Sequence, residues 1–247
     1  MARAWTTLDR VASHGGELEL RRRGEREFLI TIAGRVLMTS AAHRSESALA
    51  EWVCEDLTRG RPRVLIGGLG MGYTLRAALD ALPRGASVSV AELEPAVVAW
   101  CHEPLAPLTG AAVNDPRVEV IPTDVMELVR AAARGGRPRL DAIALDLFEG
   151  PRGTRDEEDH PLWGLEALAA LRDALVPGGA LGIWSEDPAP GLLRRLARVG
   201  FHAETRRVGR GGRRHTLYRA QRPLQARGGA SRSVRSDGAL DSGHRRR

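Results

Sequence analysis

The chain of 247 residues carries 37 basic side chains, every one an arginine, against 31 acids, for a formal charge of +6, and 43% of it is hydrophobic. The lack of lysine excludes a P-loop lysine, a pyridoxal Schiff base and every other lysine-dependent mechanism. Cys54 and Cys101 stand far apart without a CxxC or a Cys/His cluster, so neither a disulfide framework nor structural zinc is indicated, and a reducing, cytoplasmic setting is expected.

This length supports one main domain with appendages. Residues 221–247 hold seven arginines against Asp237 and Asp241, a net of +5 out of the total of +6, which leaves the remainder nearly neutral. High basicity is therefore a property of the tail, and contact with nucleic acid or an acidic surface is expected at most there. The N-terminus offers no apolar run of signal-peptide length, and no 18-residue apolar stretch follows, so no membrane partner is expected.

In chain order, ELELRRRGEREFLITIAGRVLM from Glu17 to Met38 alternates apolar and polar residues and breaks at Gly24 and Gly34. It predicts two or three short antiparallel strands in a small β-rich region over residues 1–44. SESALAEWVCEDLTRG then places Leu49, Trp52, Val53 and Leu57 at helical spacing, with Ser45 or Ser47 as N-cap. Strand patterns recur near 63–67, 87–93, 117–122, 141–147 and 179–185 with helices between, the signature of βαβ units over a domain spanning 45–220. All-apolar strands such as AIAL imply burial on both faces and hence a parallel sheet. GFHAETRRV and RRHTLYRA flank VGRGGR as a terminal antiparallel hairpin. The expected fold is α/β: a doubly wound, mostly parallel seven-stranded Rossmann-like sheet. From 221 onward Gly, Ser and Arg dominate without apolar period, and a disordered tail is expected.

VLIGGLGMGYTLRAAL, Val64 to Leu79, places Gly67, Gly68, Gly70 and Gly72 between the first parallel strand and a helix. Such a turn lets backbone approach a ligand where a Cβ would collide, with free amides at the following helix. The pattern is GxGxG. The dinucleotide fingerprint would need Gly or Ala at Tyr73, so the loop leans away from NAD. Twenty residues beyond Gly72, Glu92 ends the second strand, where a carboxylate can accept from two ribose hydroxyls. Asp124 ends the third, at the height of an adenine amino group, and can equally cap the helix that follows. Glu94, before Pro95, reads as a helix-stabilising charge. These acids at successive strand ends predict a nucleoside site.

Together the segments resemble the spermidine synthase family, a branch of the class I methyltransferase-like Rossmann proteins, from about Phe28 to Ala220. FLITIAGRVLMTS resembles its N-terminal β region, VLIGGLGMG its glycine loop, VAELEPAVV its ribose acid and DPRVEVIPTD its adenine segment. DAIALDLFEGP is similar to its catalytic loop and LWGLEALAALRDALVPGGAL to its last helix and Pro-Gly-Gly turn. The resemblance implies a transferase of polyamine biosynthesis that uses decarboxylated S-adenosylmethionine, an amine acceptor and no metal. It implies that Asp146 deprotonates or orients the attacking amine and that Glu149 holds a substrate ammonium. Assembly as a homodimer is an expectation from the resemblance alone.

The sequence departs from that pattern in three places. The family's glycine loop carries an Asp that pairs with the donor's ammonium, and Gly70 stands there instead. The family's N-terminal Tyr and acid near the polyamine groove are replaced by a stretch offering His43 and Glu46. Leu147 and Phe148 replace a pair of small residues, and RGTRDEEDH follows, whose Asp156, Glu157, Glu158 and Asp159 read as a solvated loop or as cation-holding acids. His43 and His160 read as surface histidines, Trp163 as core, and Trp184 as core or as a wall of the acceptor pocket. Three activities are compatible with these residues. They are aminopropyl transfer, methyl transfer from S-adenosylmethionine to an unknown acceptor, and non-catalytic nucleoside binding.

Overall fold

The computed structural model describes residues 4–13, 15–148, 150–151, 158–209 and 214–224. Four antiparallel strands come first: β1 (Thr6–Ser13), β2 (Gly16–Arg23), β3 (Glu27–Ile32) and β4 (Arg35–Thr39), paired in that order. β1 is an addition to the strands expected from the sequence. Its TTLDRVAS is almost wholly exposed, so it carries no apolar alternation, and its pairing with β2 supplies its order.

Helix α1 (Arg44–Cys54) follows. Its N-cap is His43, which makes no side-chain cap bond, and neither Ser45 nor Ser47 lies outside the helix to serve as one. The α/β layer then runs β5 (Arg63–Gly67), α2 (Tyr73–Ala81), β6 (Ser87–Glu92), α3 (Pro95–His102), the short α4 (Ala106–Thr109), β7 (Val118–Pro122), α5 (Val125–Ala133), β8 (Leu140–Leu145), α6 (Leu165–Ala174), β9 (Leu175–Ser185), α7 (Pro190–Arg198), β10 (His202–Val208) and β11 (His215–Gln221). The seven strands order as β10-β11-β9-β8-β5-β6-β7. β9, β8, β5, β6 and β7 are mutually parallel, and β11 and β10 add an antiparallel edge. β9 starts four residues before the expected segment, at Leu175 directly after α6, so the Pro-Gly-Gly stretch lies inside the strand.

Side chains of the central strands alternate between two cores, as a sheet covered on both faces requires. Val64, Ile66, Ala142 and Ala144 join the core that includes Leu49 and Val53 of α1, Leu75 of α2 and Trp100 of α3. Leu65, Ile143, Leu145, Leu181 and Ile183 join Val129 of α5, Leu168 and Leu171 of α6 and Leu192 of α7. Leu18, Leu20, Phe28 and Ile30 of the N-terminal sheet extend the first core, and Trp100 Nε1 donates to Asp9 Oδ2 at 2.7 Å across the same seam. Among the described residues no helix is long and apolar enough to cross a membrane.

Close packing of α1 onto β9 depends on Gly182. A Cβ there would lie 2.1 Å from Val53 Cγ2 and 3.0 Å from Leu49 Cδ1. Overpacking of this kind typically costs about 1–3 kcal/mol. Gly182→Ala is therefore expected to lower Tm by about 2–12 °C in a chain of this size, measured by calorimetry. An unchanged Tm would show that α1 is free to move away from the sheet.

Candidate active site at the carboxyl edge of the sheet

The glycine loop is set by three local facts. Gly68, Gly70 and Gly72 all have positive φ (+88°, +52° and +82°), a conformation that residues with a Cβ rarely adopt. A Cβ on Gly68 would come within 2.3 Å of the Asp146 carbonyl oxygen, so that residue is fixed by steric contact as well as by its dihedral. Gly67 shows the same crowding from Leu145 and Val125. The loop's amides are tied down too: Gly68 N donates to Ala91 O at 2.9 Å and Gly72 N to Leu69 O at 2.8 Å, and Asp146 N donates to Gly67 O at 2.9 Å. The Cys101 thiol donates to Gly70 O at 3.2 Å. Burial pushes that thiol up to about 12, with the charge of Glu92 adding to the shift, so Cys101 acts as a neutral donor.

Glu92, buried at the end of β6, accepts from Leu69 N at 2.7 Å through one oxygen and from Glu94 N at 2.9 Å through the other. Its carboxylate thus shapes the glycine loop, a task invisible in the sequence because it joins residues 23 apart. Each oxygen keeps further acceptor capacity. Asp124 caps α5, with Met126 N donating to its Oδ1 at 2.8 Å, and its side chain is exposed at the same edge. Leu93 and Phe148 are exposed there as well, with the Arg35 guanidinium 5.3 Å from the Phe148 ring centre.

Asp146 follows the last residue of β8. The Thr74 hydroxyl, in the first turn of α2, donates to its Oδ2. Removal from water raises its pKa most, the negative charge of Glu46 raises it further, and the Thr74 bond only partly offsets this, leaving it at about 7. Glu46, in the first turn of α1, is 7% exposed. Ser45 Oγ donates to Glu46 Oε2 at 2.7 Å. Neither Asp146 nor Glu46 has an arginine partner among the described residues. The glycine loop, Glu92, Asp124 and Asp146 thus converge on one edge, and the charge of Glu46, from α1, acts on Asp146.

Glu149 lies outside the described residues, as do Asp156, Glu157 and 225–247 of the tail. Glu158 pairs with Arg198, which gives that acid a structural role. His160 Nδ1 accepts from Leu162 N at 3.1 Å, which orders the approach to α6. Trp163 is buried in the second core. Trp184 Nε1 donates to Ser45 Oγ at 3.1 Å, and its ring meets that of His215 at 4.7 Å. His43 stacks on Tyr73 at 4.1 Å, a contact between the α1 N-cap and the start of α2 that sequence reading did not foresee. Space beside Gly70 is taken by Met38, whose sulfur would lie 2.8 Å from a Cβ at that position. Among the described residues no group of three His, Cys, Asp or Glu could hold a metal ion.

No protein-family model matches the chain. Its sequence is 33% identical over 183 residues to a polyamine aminopropyltransferase of Corynebacterium efficiens, covering 73% of this chain and 33% of that protein. It is 29% identical over 176 residues to the polyamine aminopropyltransferase of Mycobacterium tuberculosis, covering 70% and 31%. The relative in Aeropyrum pernix, of the same name, is 31% identical over 156 residues, covering 60% and 48%. The chain thus spans about a third of the length of the first two relatives. Among solved structures, spermidine synthase from Thermotoga maritima superposes with a TM-score of 0.70 at 20% identity, covering 88% of this chain and 73% of that one. A spermidine synthase in complex with the transition-state analogue AdoDATO gives 0.68 at the same identity and coverage. The fold is that of the spermidine synthases.

The pKa of Asp146 has a consequence for stability. A carboxyl raised from 3.8 to about 7 in the folded chain contributes fully to stability below pH 4, and that contribution declines between about pH 4 and 7 and is gone above. Asp146→Asn removes the buried charge. It is expected to be about 2–4 kcal/mol more stable than the parent chain at pH 8 and nearly equal to it at pH 4, measured by denaturant titration at both values. Equal stability at pH 8 would mean that the folded carboxyl titrates normally.

Proposed function

We propose that this chain is an aminopropyltransferase, moving the aminopropyl group of decarboxylated S-adenosylmethionine to an amine acceptor. One observation carries the proposal: at the edge of a nucleoside-type glycine loop, two inward acids, Asp146 and Glu46, have no protein cation to neutralise them among the described residues. Such a pair is stabilised by a positively charged guest and opposes a negatively charged one. A sulfonium donor bearing an ammonium and no carboxylate fits that charge, and ordinary S-adenosylmethionine, with its carboxylate, fits less well. That difference, with the relatives' names, favours aminopropyl over methyl transfer.

In this reading Glu92 accepts from the ribose hydroxyls with the capacity left by Leu69 and Glu94. Asp124 accepts from the adenine amino group beside its cap bond, and exposed Leu93 and Phe148 provide apolar surface for the ligand to cover. The glycine loop lets backbone come close to the nucleoside. Asp146 takes a proton from the acceptor ammonium, which frees the nitrogen lone pair. That pair forms a new bond to the methylene carbon on sulfur as the carbon–sulfur bond breaks, and its electrons neutralise the sulfonium. Neutral methylthioadenosine leaves without needing an acid, and the product nitrogen remains a secondary ammonium. A base titrating near 7 is matched to this task at neutral pH. Glu149 is proposed, from the resemblance, to hold a second ammonium of the acceptor.

Methylthioadenosine release from the decarboxylated donor and a diamine, followed by chromatography, tests the reaction. Turnover is expected, with kcat/KM rising through about pH 7 as Asp146 ionises, and Asp146→Asn is expected to reduce kcat by about 10²–10⁴-fold. Methyl transfer from S-adenosylmethionine, or tighter binding of that donor than of its decarboxylated form, would overturn the proposal.

A further inference from the structure

Burial confines the sulfur chemistry of this chain. Besides Met1 there are five sulfur side chains: Met38, Cys54, Met71, Cys101 and Met126. Four of them are closed to solvent, with Cys54 at 1%, Met71 at 0%, Cys101 at 4% and Met126 at 1% exposure. Burial also pushes both thiols up to about 12, so neither forms the thiolate that peroxides attack. Met38 is different. Its strand β4 is the edge of the N-terminal sheet, it stands opposite Ile30, and its side chain is only half-buried against the first core.

That half-buried thioether lies on the glycine loop. A Cβ at Gly70 would be 2.8 Å from Met38 Sδ and 3.2 Å from its Cε, so sulfur and methyl both rest on that residue. The loop cannot withdraw from them without breaking bonds of its own. Gly70 O accepts from the Cys101 thiol at 3.2 Å, and Leu69 N donates to Glu92 at 2.7 Å. Gly68 N and Gly72 N donate to Ala91 O at 2.9 Å and Leu69 O at 2.8 Å. On the other side, the Tyr73 hydroxyl donates to Ser40 O at 3.1 Å, which ties the chain just beyond β4 to the start of α2. The contact between Met38 and Gly70 is thus clamped from both directions. An atom added to Sδ must displace the loop, because a close-packed contact has no slack for one more heavy atom.

We propose that Met38 is an oxidation site that controls the glycine loop: a peroxide converts its thioether to the sulfoxide, and the added oxygen loosens the loop from Gly68 to Gly72. With hydrogen peroxide, a lone pair on Sδ attacks one oxygen, and the oxygen–oxygen bond breaks as the sulfur–oxygen bond forms. The second oxygen takes up the proton of the first and leaves as water. Sulfur loses two electrons and the peroxide gains them. The product is bulkier, chiral and polar where an apolar group had been, and methionine sulfoxide reductases reverse it.

Hydrogen peroxide treatment of the full chain, followed by peptide mass mapping and amide hydrogen exchange, tests this. Met38 is expected to gain an oxygen atom before Met71, Met126, Cys54 and Cys101, and exchange over residues 68–72 to quicken on the same time course. Methylthioadenosine affinity, measured by calorimetry, is expected to fall by about tenfold as Met38 oxidises and to return after treatment with methionine sulfoxide reductases. Met38→Leu, of similar volume without the sulfur, is expected to show neither effect although it retains Met1. If that variant folds poorly, the parent chain decides alone through the matched time courses of oxidation and exchange. Oxygen arriving at Met71, Met126 or either cysteine as quickly as at Met38, unchanged loop exchange in the chain oxidised at Met38, or an equal response from Met38→Leu overturns the proposal. Only the affinity readout rests on the nucleoside reading. Quickened exchange in a chain that never binds methylthioadenosine would sustain the oxidation site while overturning that reading, and nucleoside binding indifferent to Met38 oxidation would do the reverse.

Discussion

The carboxyl edge of the sheet is organised by the closeness of two neighbouring strand ends. Where β5 gives way to the glycine loop and β8 to Asp146, the backbones lie so near that a single methyl on Gly68 would strike the Asp146 carbonyl. The Asp146 amide donates back to Gly67, so the contact is both a steric limit and a hydrogen bond. Asp146 is thereby placed under the first turn of α2, where Thr74 reaches it. The loop that approaches it is held on its other side by Glu92 and the Cys101 thiol. Few of these parts could shift alone.

Electrostatics impose the second constraint. Arginine is abundant in the chain, and several acids on the surface are paired with it: Asp80 with Arg76, Asp115 with Arg117, and Glu158 with Arg198. Asp115 shows the ordinary effect, held down at about 2 by its bonds to Arg117. Asp146 shows the opposite, since burial and a like charge act on it with no cation to compensate among the described residues. The contrast between these two aspartates in one chain singles out the carboxyl edge as the place where a buried acid is left without an arginine among the described residues.

Much of this was legible in the sequence for local reasons. AIAL announced a strand buried on both faces, and Ala142 to Leu145 are indeed almost inaccessible. Glycines at 68, 70 and 72 announced a turn, and all three have positive φ. What could not be read depends on distant partners. β1 is exposed and polar, so only its neighbour β2 makes it a strand. Glu92 was read for what it offers a ligand, and its grip on Leu69 depends on how the loop folds back. Glu46 was read for its place beside the family's N-terminal acid, and the bonds that fix its neighbour Ser45 come from Trp184 and His215, well over a hundred positions away.

That separation also bears on how the protein is made. Ser45 and His215 are 170 residues apart, and the second arrives on the final strand of the sheet. Contacts of such long range form late, because the intervening chain must first be ordered. During synthesis from the N-terminus, the glycine loop and Asp146 emerge well before β11, so a nascent chain has most of its carboxyl edge while Ser45 is still without its His215 partner. The fixing of Ser45, and through it of Glu46, thus arrives with the last hairpin, and a chain truncated before it would keep much of the sheet yet lack that restraint.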